Sequence, residues 1–540
     1  MHQADKLSEP IVDECLSQST TTALSRHKKI GRWVLAATII GSSIAFIDST
    51  VINVALPALQ ADLNASVFQV QWIVEIYVLF MAALILVGGA TGDQFGRRFI
   101  YALGITLFAG SSLWCGFAQD VSHLLWARAL QGVGGALLVP GSLAIIGAYF
   151  KDEERGKAIG TWSGFSALTT ALGPVLGGWL VENVSWRWVF FFNIPLCILV
   201  VFILYWRVPE SRDEQANGGL DWLGALLATI GLGGITYGLI EAGFYGFGDL
   251  WVMVGLIGGT IALVAFVYVE ASSASPMVPL PLFHSRTFTG ANILTFTLYA
   301  GLGGLLFFMP FNFIQVQGYS ATATGAAFLP FVLIIFLLSR WAGGLADRYG
   351  FRRPLIIGMI LAAIGFVLFA IPGVGGSYWT TFFPGIAVLG VSMAISAPPL
   401  AAAALGAVEQ RYSGTASGIN NAVSRVAGLL AIAVLGLFVL GSFNRSLDRD
   451  LAELHISPDV QAVLDQERVK LAGAEIPPEV NGDLRIELEQ AIDRAFISGF
   501  RMAMLAGAGL CLLSALAAAL LIEGKEVRAG VHAEDTSLHL

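Results

Sequence analysis

Charge is what this chain has least of. Only 13% of its 540 residues are Asp, Glu, Lys or Arg, where a soluble chain carries about 25%. Nothing in that deficit suits a soluble domain or a nucleic-acid partner. Cysteine is scarce too. Cys15 lies in a polar tail, while Cys115, Cys197 and Cys511 fall inside apolar runs, where they read as small packing residues rather than a disulfide framework. The seven histidines (His2, His27, His123, His284, His455, His532 and His539) are scattered. No nucleophile–base or metal-ligand spacing appears, so neither an enzyme, a metal nor a cofactor is expected. A cleavable signal is also missing. The first apolar run is too long for one and follows a polar stretch of about thirty residues, so it reads as a retained helix.

What remains is apolar. The chain is 56% hydrophobic with 62 glycines. Runs of roughly 20 apolar residues recur from Trp33 to Ile522, each able to cross about 30 Å of hydrocarbon. A β-barrel would need strands of about ten residues with alternating polarity, which are not seen. The expected class is an all-α membrane protein. About fourteen spans are read, at roughly 33–56, 68–91, 98–118, 122–148, 157–181, 188–207, 220–242, 250–270, 288–316, 321–345, 354–372, 378–406, 414–442 and 496–522. Lys and Arg collect on one side: Arg26, Lys28, Lys29 and Arg32; Arg97 and Arg98; Lys151, Arg155 and Lys157; Arg348, Arg352 and Arg353. The short loops opposite hold almost none, Arg187 excepted. By the positive-inside rule both termini of this multi-pass chain are expected in the cytoplasm.

One charged stretch occurs twice. GGATGDQFGRR (Gly88–Arg98) joins spans two and three, and GGLADRYGFRR (Gly343–Arg353) joins spans ten and eleven. Asp93 aligns with Asp347, Gly96 with Gly350 and Arg98 with Arg352. Two like hinges mean two related halves, arranged as a parallel repeat about an axis along the membrane normal. If each half has six spans, the second starts at span nine, and spans seven and eight are an inserted pair. The expected division is a tail over 1–32, a first half over 33–207, inserted helices with their loops over 208–286, a second half over 287–522 and a tail over 523–540. Within the second half, 443–495 is a long acidic outer segment. Ser457 before Pro458 marks a helix start there, and Leu484, Leu488, Ile492 and Phe496 recur at helical spacing into the last span. That stretch is expected to lie on the protein as an amphipathic helix. It also leaves room for a periplasmic adaptor protein.

An ionisable residue at the middle of a span costs about 2.5–3.5 kcal/mol on insertion scales, so the few present need a reason. Asp48 lies in span one, Glu75 in span two, Arg128 near the start of span four and Arg425 in span thirteen, beside Asn420 and Asn421. The plain reading is an interior ion-pair cluster that fixes packing. The functional one is proton coupling. Burial favours a neutral acid and a nearby arginine a charged one, so a carboxyl held between them can exchange a proton near neutral pH. Asp48 is the first choice and Glu75 the second, and at similar depth in one cavity the two would be coupled. In the hinge, Asp93 sits at the negative end of its helix, facing Arg97 and Arg98, and Gly96 can make the tight turn. A charge latch that forms in one conformation and breaks in another is expected of Asp93, Arg97, Arg98, Asp347 and Arg352. In span five, Gly173, Pro174, Gly177 and Gly178 allow bending and close helix approach. Phe46, Asn53, Trp72, Tyr77, Trp162, Phe165, Asn420 and Asn421 are candidates for a pocket wall, because aromatic faces suit flat or cationic guests.

DSTVINVALP (Asp48–Pro57), Gly89–Arg98, RALQGVGG (Arg128–Gly135) and GPVLGG (Gly173–Gly178) occur in order and in matching spans. Together they resemble the signatures of the fourteen-helix drug:proton antiporters of the major facilitator superfamily, over about 33–522. The resemblance implies two six-helix halves plus two inserted helices, alternating access, and proton-driven export of amphipathic, often cationic compounds through the cytoplasmic membrane. The implied partners are a small-molecule substrate, protons and membrane lipid. It further implies that Asp48 recognises a proton or cation under the influence of Arg128. Gln94 departs from the basic residue usual at its position, Thr91 from leucine, Thr169 from glycine and Glu75 from a neutral polar residue. An exporter of an endogenous metabolite, or a proton-coupled importer of the same fold, is the alternative.

Overall fold

The structure is a computed structural model and describes residues 9–150, 152–212, 221–273, 276–409, 412–454 and 456–523. Among them fourteen helices are long and apolar enough to cross a membrane, as expected. Helices suit hydrocarbon because each satisfies its own backbone groups. The first half holds α1 (Glu9–Asp62), α2 (Val67–Phe95), α3 (Arg97–Gly116), α4 (Val121–Tyr149), α5 (Asp152–Asn183) and a sixth span broken into α6 (Trp188–Phe191) and α7 (Asn193–Arg207). The inserted pair is α8 (Trp222–Tyr245) and α9 (Leu250–Ser272). The second half holds α10 (Arg286–Phe311), α11 (Ala321–Ala327) continued by α12 (Leu329–Tyr349), and α13 (Arg352–Ala370). It continues with α14 (Tyr378–Thr381), α15 (Phe383–Gly406), α16 (Ser413–Leu454), α17 (Pro458–Glu467) and α18 (Asp483–Leu521). With an even number of spans the chain enters and leaves on one face, here called the terminal face; the other is the distal face.

Short polar residues start the helices by capping their free N–H groups. Ser66 and Gln69 form a reciprocal capping box on α2. Asp120, Asp221 and Asp249 cap α4, α8 and α9. Ser457 caps α17, which begins at Pro458 as the sequence suggests. Two helices outrun their expected ends. The first span reaches Asp62 rather than stopping near 56, and α16 reaches Leu454 rather than 442. Hydropathy marks where the bilayer ends, not where the helix does. Past the apolar run, α16 keeps a buried stripe of Phe443, Leu447 and Leu451.

That stripe packs with Leu464, Leu471, Ile476, Val480, Leu488 and Ile492 in one core. The expected amphipathic stretch is therefore the first turns of α18, with Leu488, Ile492 and Phe496 buried. Ion pairs from Arg468 to Asp448 at 2.6 Å and from Arg494 to Asp450 at 2.9 Å tie this cover to the end of α16.

Within the first half, α2 and α3 pack on α4, and α1 packs on α5 and α7; in the second, α13 packs on α15 and α18, and α10 on α16 and α18. The inserted pair is a tight hairpin in which Gly234 lies against Gly255 and Gly259. Its first helix, α8, leans on α2 of the first half and α16 of the second. The insertion therefore flanks the line where α2 of one half meets α16 of the other.

Candidate functional site

Asp48 is 1% exposed and Arg128 is 0% exposed. Arg128 Nη1 donates to Asp48 Oδ2 at 2.7 Å, while Gln131 Nε2 and Asn193 Nδ2 donate to Asp48 Oδ1 at 3.0 and 3.1 Å. Three donors thus converge on one carboxylate. The network closes on itself: Arg128 Nη1 also donates to Gln131 Oε1 at 2.7 Å, and Gln131 Nε2 donates to Ser112 Oγ at 2.8 Å. Arg128 Nε donates to the Ile73 carbonyl at 3.1 Å. Its guanidinium lies 4.2 Å from the Tyr77 ring centroid and 5.9 Å from that of Phe190, so aromatic faces stand where water would otherwise solvate it. Helices α1, α2, α3, α4 and α7 all contribute. The expected pairing of Asp48 with Arg128 is present, and Gln131, Asn193 and Ser112 are additions. Gln131 could have been found, since it lies three residues after Arg128 and shares its helix face. Asn193 and Ser112 carried no signal beyond being polar in apolar runs.

Glu75 is not part of this network, which corrects the expectation of one shared cavity. It is 0% exposed, and neither carboxyl oxygen has a hydrogen-bond partner among the described residues. The reason is angular. Tyr77 and the Ile73 carbonyl face Arg128, and at about 100° per residue Glu75 lies about 200° around α2 from Tyr77.

The pocket candidates separate in the same way. Phe46 packs edge-on against Trp162 at 6.3 Å, and Trp162 Nε1 donates to Ser42 Oγ at 3.0 Å, so these three hold α1 to α5. Asn53 turns back on the Ser49 carbonyl at 3.4 Å. Phe165 is 49% exposed. Tyr77 is buried beneath Arg128, and Trp72 packs on Tyr237 of the insertion, so neither lines an open pocket here. Asn420 joins Asn292 and Thr295 of α10, at 3.2 and 2.8 Å, whereas Asn421 is exposed and bonds the Ser417 carbonyl. Arg425 is half-buried, near Tyr77 and Tyr299, with no hydrogen bond or ion pair to another described residue. An open apolar depression of about 300 Å³, lined by Phe80, Trp114, Trp126 and Leu130, lies on the first half and contains none of these residues. With no polar group to orient a guest, it is not a credible cargo site.

The hinge holds its first copy together locally. Asp93 Oδ1 is 2.7 Å from Arg97 Nη2, four residues on. Arg98 turns to Glu210, at 3.5 Å, and to the Val208 carbonyl, at 3.0 Å. Glu210 also accepts from the backbone N–H groups of Arg98 and Phe99, at 2.9 and 3.1 Å, capping α3. Gly96 has φ 112° and its counterpart Gly350 φ 73°, a conformation that favours glycine in both halves. Arg352 is exposed at the start of α13. The side chain of Asp347 lies outside the described residues.

The glycine–proline segment of α5 faces two neighbours. Gly173 and Gly177 lie against Thr50 and Val51 of α1. Gly178 meets the backbone of Ala321, and Gly325 that of Pro174, joining α5 to α11. Glu182 Oε2 accepts from the Thr322 N–H at 3.0 Å. Together with Gln315, which donates to Gln60 at 2.9 Å, these contacts close the distal ends of the two halves.

Comparison with known proteins agrees with this architecture. Residues 38–432 match the sequence profile of the Major Facilitator Superfamily. The chain is 30% identical to the multidrug resistance protein Stp of Mycobacterium tuberculosis over 480 residues, covering 87% of this chain and 88% of that one. It is 30% identical to the tetracenomycin C resistance and export protein of Streptomyces glaucescens, covering 90% of each. It is 34% identical to the puromycin resistance protein of Streptomyces alboniger, covering 76% of this chain and 82% of that one. Among solved structures, a bacterial homologue of the human lysosomal transporter Spinster superposes with a TM-score of 0.64 at 18% identity, covering 91% of this chain and 98% of that chain.

Proposed function

The chain belongs to the Major Facilitator Superfamily, a family of transporters rather than enzymes, and from that premise we propose that it exports amphipathic drugs and toxic compounds in exchange for protons. Export would run by alternating access across the cytoplasmic membrane, with the terminal face inside. Relatives named for resistance to several unrelated compounds support the cargo class. The observation that carries the coupling is the sealed Asp48–Arg128 pair at 2.7 Å.

A proton placed on Asp48 cancels the charge that holds Arg128, and Gln131 and Asn193 lose an ionic acceptor at the same moment. Because the network draws on five helices, its loosening alters how the first half packs, and a two-state body responds by population shift. Arg128 stacks on Tyr77, beside which Arg425 of the second half also stands, so the change reaches the seam where cargo would sit. One charge moved through 100 mV supplies about 2.3 kcal/mol, enough for a gradient of roughly fifty-fold.

Everted vesicles test the reading with ethidium, a lipophilic cation, as probe. Acidifying the lumen should drive ethidium inward, and adding ethidium should release lumenal protons. Asp48→Asn should abolish both while the protein still folds. Undiminished exchange in that variant would remove the assignment. A susceptibility panel in a host lacking its own pumps, run with both proteins, would then define the cargo.

A further inference from the structure

Three buried polar side chains lie on α2 and α8 where these helices pack on each other and on α16, and none has a hydrogen-bond partner among the described residues. They are Gln71 (1% exposed), Glu75 (0%) and Thr236 (0%), and the amide, both carboxyl oxygens and the hydroxyl are all without hydrogen bonds. The register follows from their neighbours. Along α2 and α8, Phe68 packs on Gly243, Trp72 on Tyr237, and Leu79 on Gly233. Along α2 and α16, Gln71 packs on Gly436, and Leu79 joins Leu429 and Leu232 in one cluster. Between these contacts Glu75 comes level with Thr236. At about 100° per residue it points between Gln71, on the α16 side, and Trp72 and Leu79, on the α8 side.

We propose that Glu75, Gln71 and Thr236 form a second proton-binding chamber, separate from Asp48, walled by the inserted helix α8 and entered from the distal face past Glu241.

Glu75 and Gln71 are four residues apart on one helix face, so a neutral carboxyl can donate to the amide oxygen and accept from the Thr236 hydroxyl. Two unpartnered groups beside a third are also what a bridging water requires. Glu241 stands one turn toward the distal face, where its Oε1 accepts from Trp72 Nε1 at 3.4 Å. Of the other titratable or charged groups on these helices, Tyr237 of α8 packs on Trp72, and Arg425 of α16 stands near Tyr77, about 200° around α2 from Glu75. From Val426 to Gly441, α16 carries no polar side chain. A proton therefore reaches Glu75 along the edge of the insertion, without passing the Asp48 network. In this view the two added helices are part of the coupling apparatus.

The proposal rests on the proton-driven reading above, but its test is independent of transport. Infrared difference spectra of the lipid-reconstituted protein, taken across its stable pH range, should contain the carbonyl stretch of a protonated carboxyl. Glu75→Gln should remove that band and Asp48→Asn should leave it. Thr236→Val should shift it to higher frequency as a hydrogen bond is lost, and Thr236→Ser should restore it. Glu241→Gln should slow deuterium exchange into the band severalfold. If the band survives Glu75→Gln, or Thr236→Val leaves it unmoved, or Glu241→Gln leaves its exchange rate unchanged, the chamber as drawn is overturned. If instead Asp48→Asn proves fully active in vesicles while the band behaves as expected, the transport reading fails and the chamber stands.

Discussion

Gly178 of α5 lies against the carbonyl oxygen of Ala321 on α11, backbone to backbone across the two halves of the molecule. No methyl group fits there, nor at Gly325, which faces the carbonyl of Pro174. Overpacking of this kind costs about 1–3 kcal/mol, which in a two-state body is a shift of roughly 5- to 150-fold. Gly178→Ala and Gly325→Ala should therefore populate a form open at the distal face. Spin labels on the distal ends of α5 and α11 would report a longer distance. Gly160→Ala, on the same helix with nothing within 4 Å, should leave the distance unchanged.

Removing Arg128 should harm stability more than removing the whole pair. Arg128→Ala leaves Asp48 buried with neutral donors only, and breaking a buried pair this way costs about 3–5 kcal/mol. Asp48→Asn combined with Arg128→Met removes both charges and should recover most of that loss. Thermal unfolding in detergent reads the difference, and equal melting of the single and double variants would contradict it.

The division between what was legible and what was not follows from the physics. Hydrocarbon demands about 20 apolar residues per span, so all fourteen spans could be read. The repeated hinge could be aligned because its glycines answer a backbone need, met by positive φ at both Gly96 and Gly350. Asp48 and Arg128 were conspicuous because charge is rare in apolar runs. Neutral Asn193 and Ser112 were not, although they complete the same network. Glu75 was misplaced because depth along a helix was weighed without the angle around it. The ends of α1 and α16 were misjudged because loss of hydropathy was taken for loss of helix.

Glu210 was not anticipated, and its role at the first hinge can be checked directly. It accepts two backbone N–H groups at the start of α3 and pairs with Arg98. Loss of a helix cap costs about 0.5–2 kcal/mol, so Glu210→Ala should fray the first turn of α3 and free Arg98 from α7. Faster amide exchange at Arg98 and Phe99, with no change in the core of α3, is the expected result. Gly96→Ala should have a larger effect, because φ 112° strains any residue with a side chain and its methyl would press on the Glu210 carboxyl at 3.0 Å.

One glutamine joins three parts of the distal face. Gln60 of α1 is 3% exposed, donates to the Lys470 carbonyl of the cover at 3.3 Å, and accepts from Gln315 of the second half at 2.9 Å. The cover therefore rests on both halves at once, so opening that face must break these bonds. Gln60→Leu keeps the bulk but leaves the Gln315 amide and the Lys470 carbonyl to find other partners. An unsatisfied buried group costs about 1–3 kcal/mol, a loss borne only by the closed form, since opening exposes both groups to water. The variant should therefore raise the open population and make a cysteine placed at Gly473, which packs between Gln60 and Gln315, react faster with a membrane-impermeant maleimide. Because Gly473→Cys itself crowds that contact, the comparison is between Gly473→Cys alone and the same change with Gln60→Leu. Identical labelling rates in the two would show that Gln60 does not hold the cover closed.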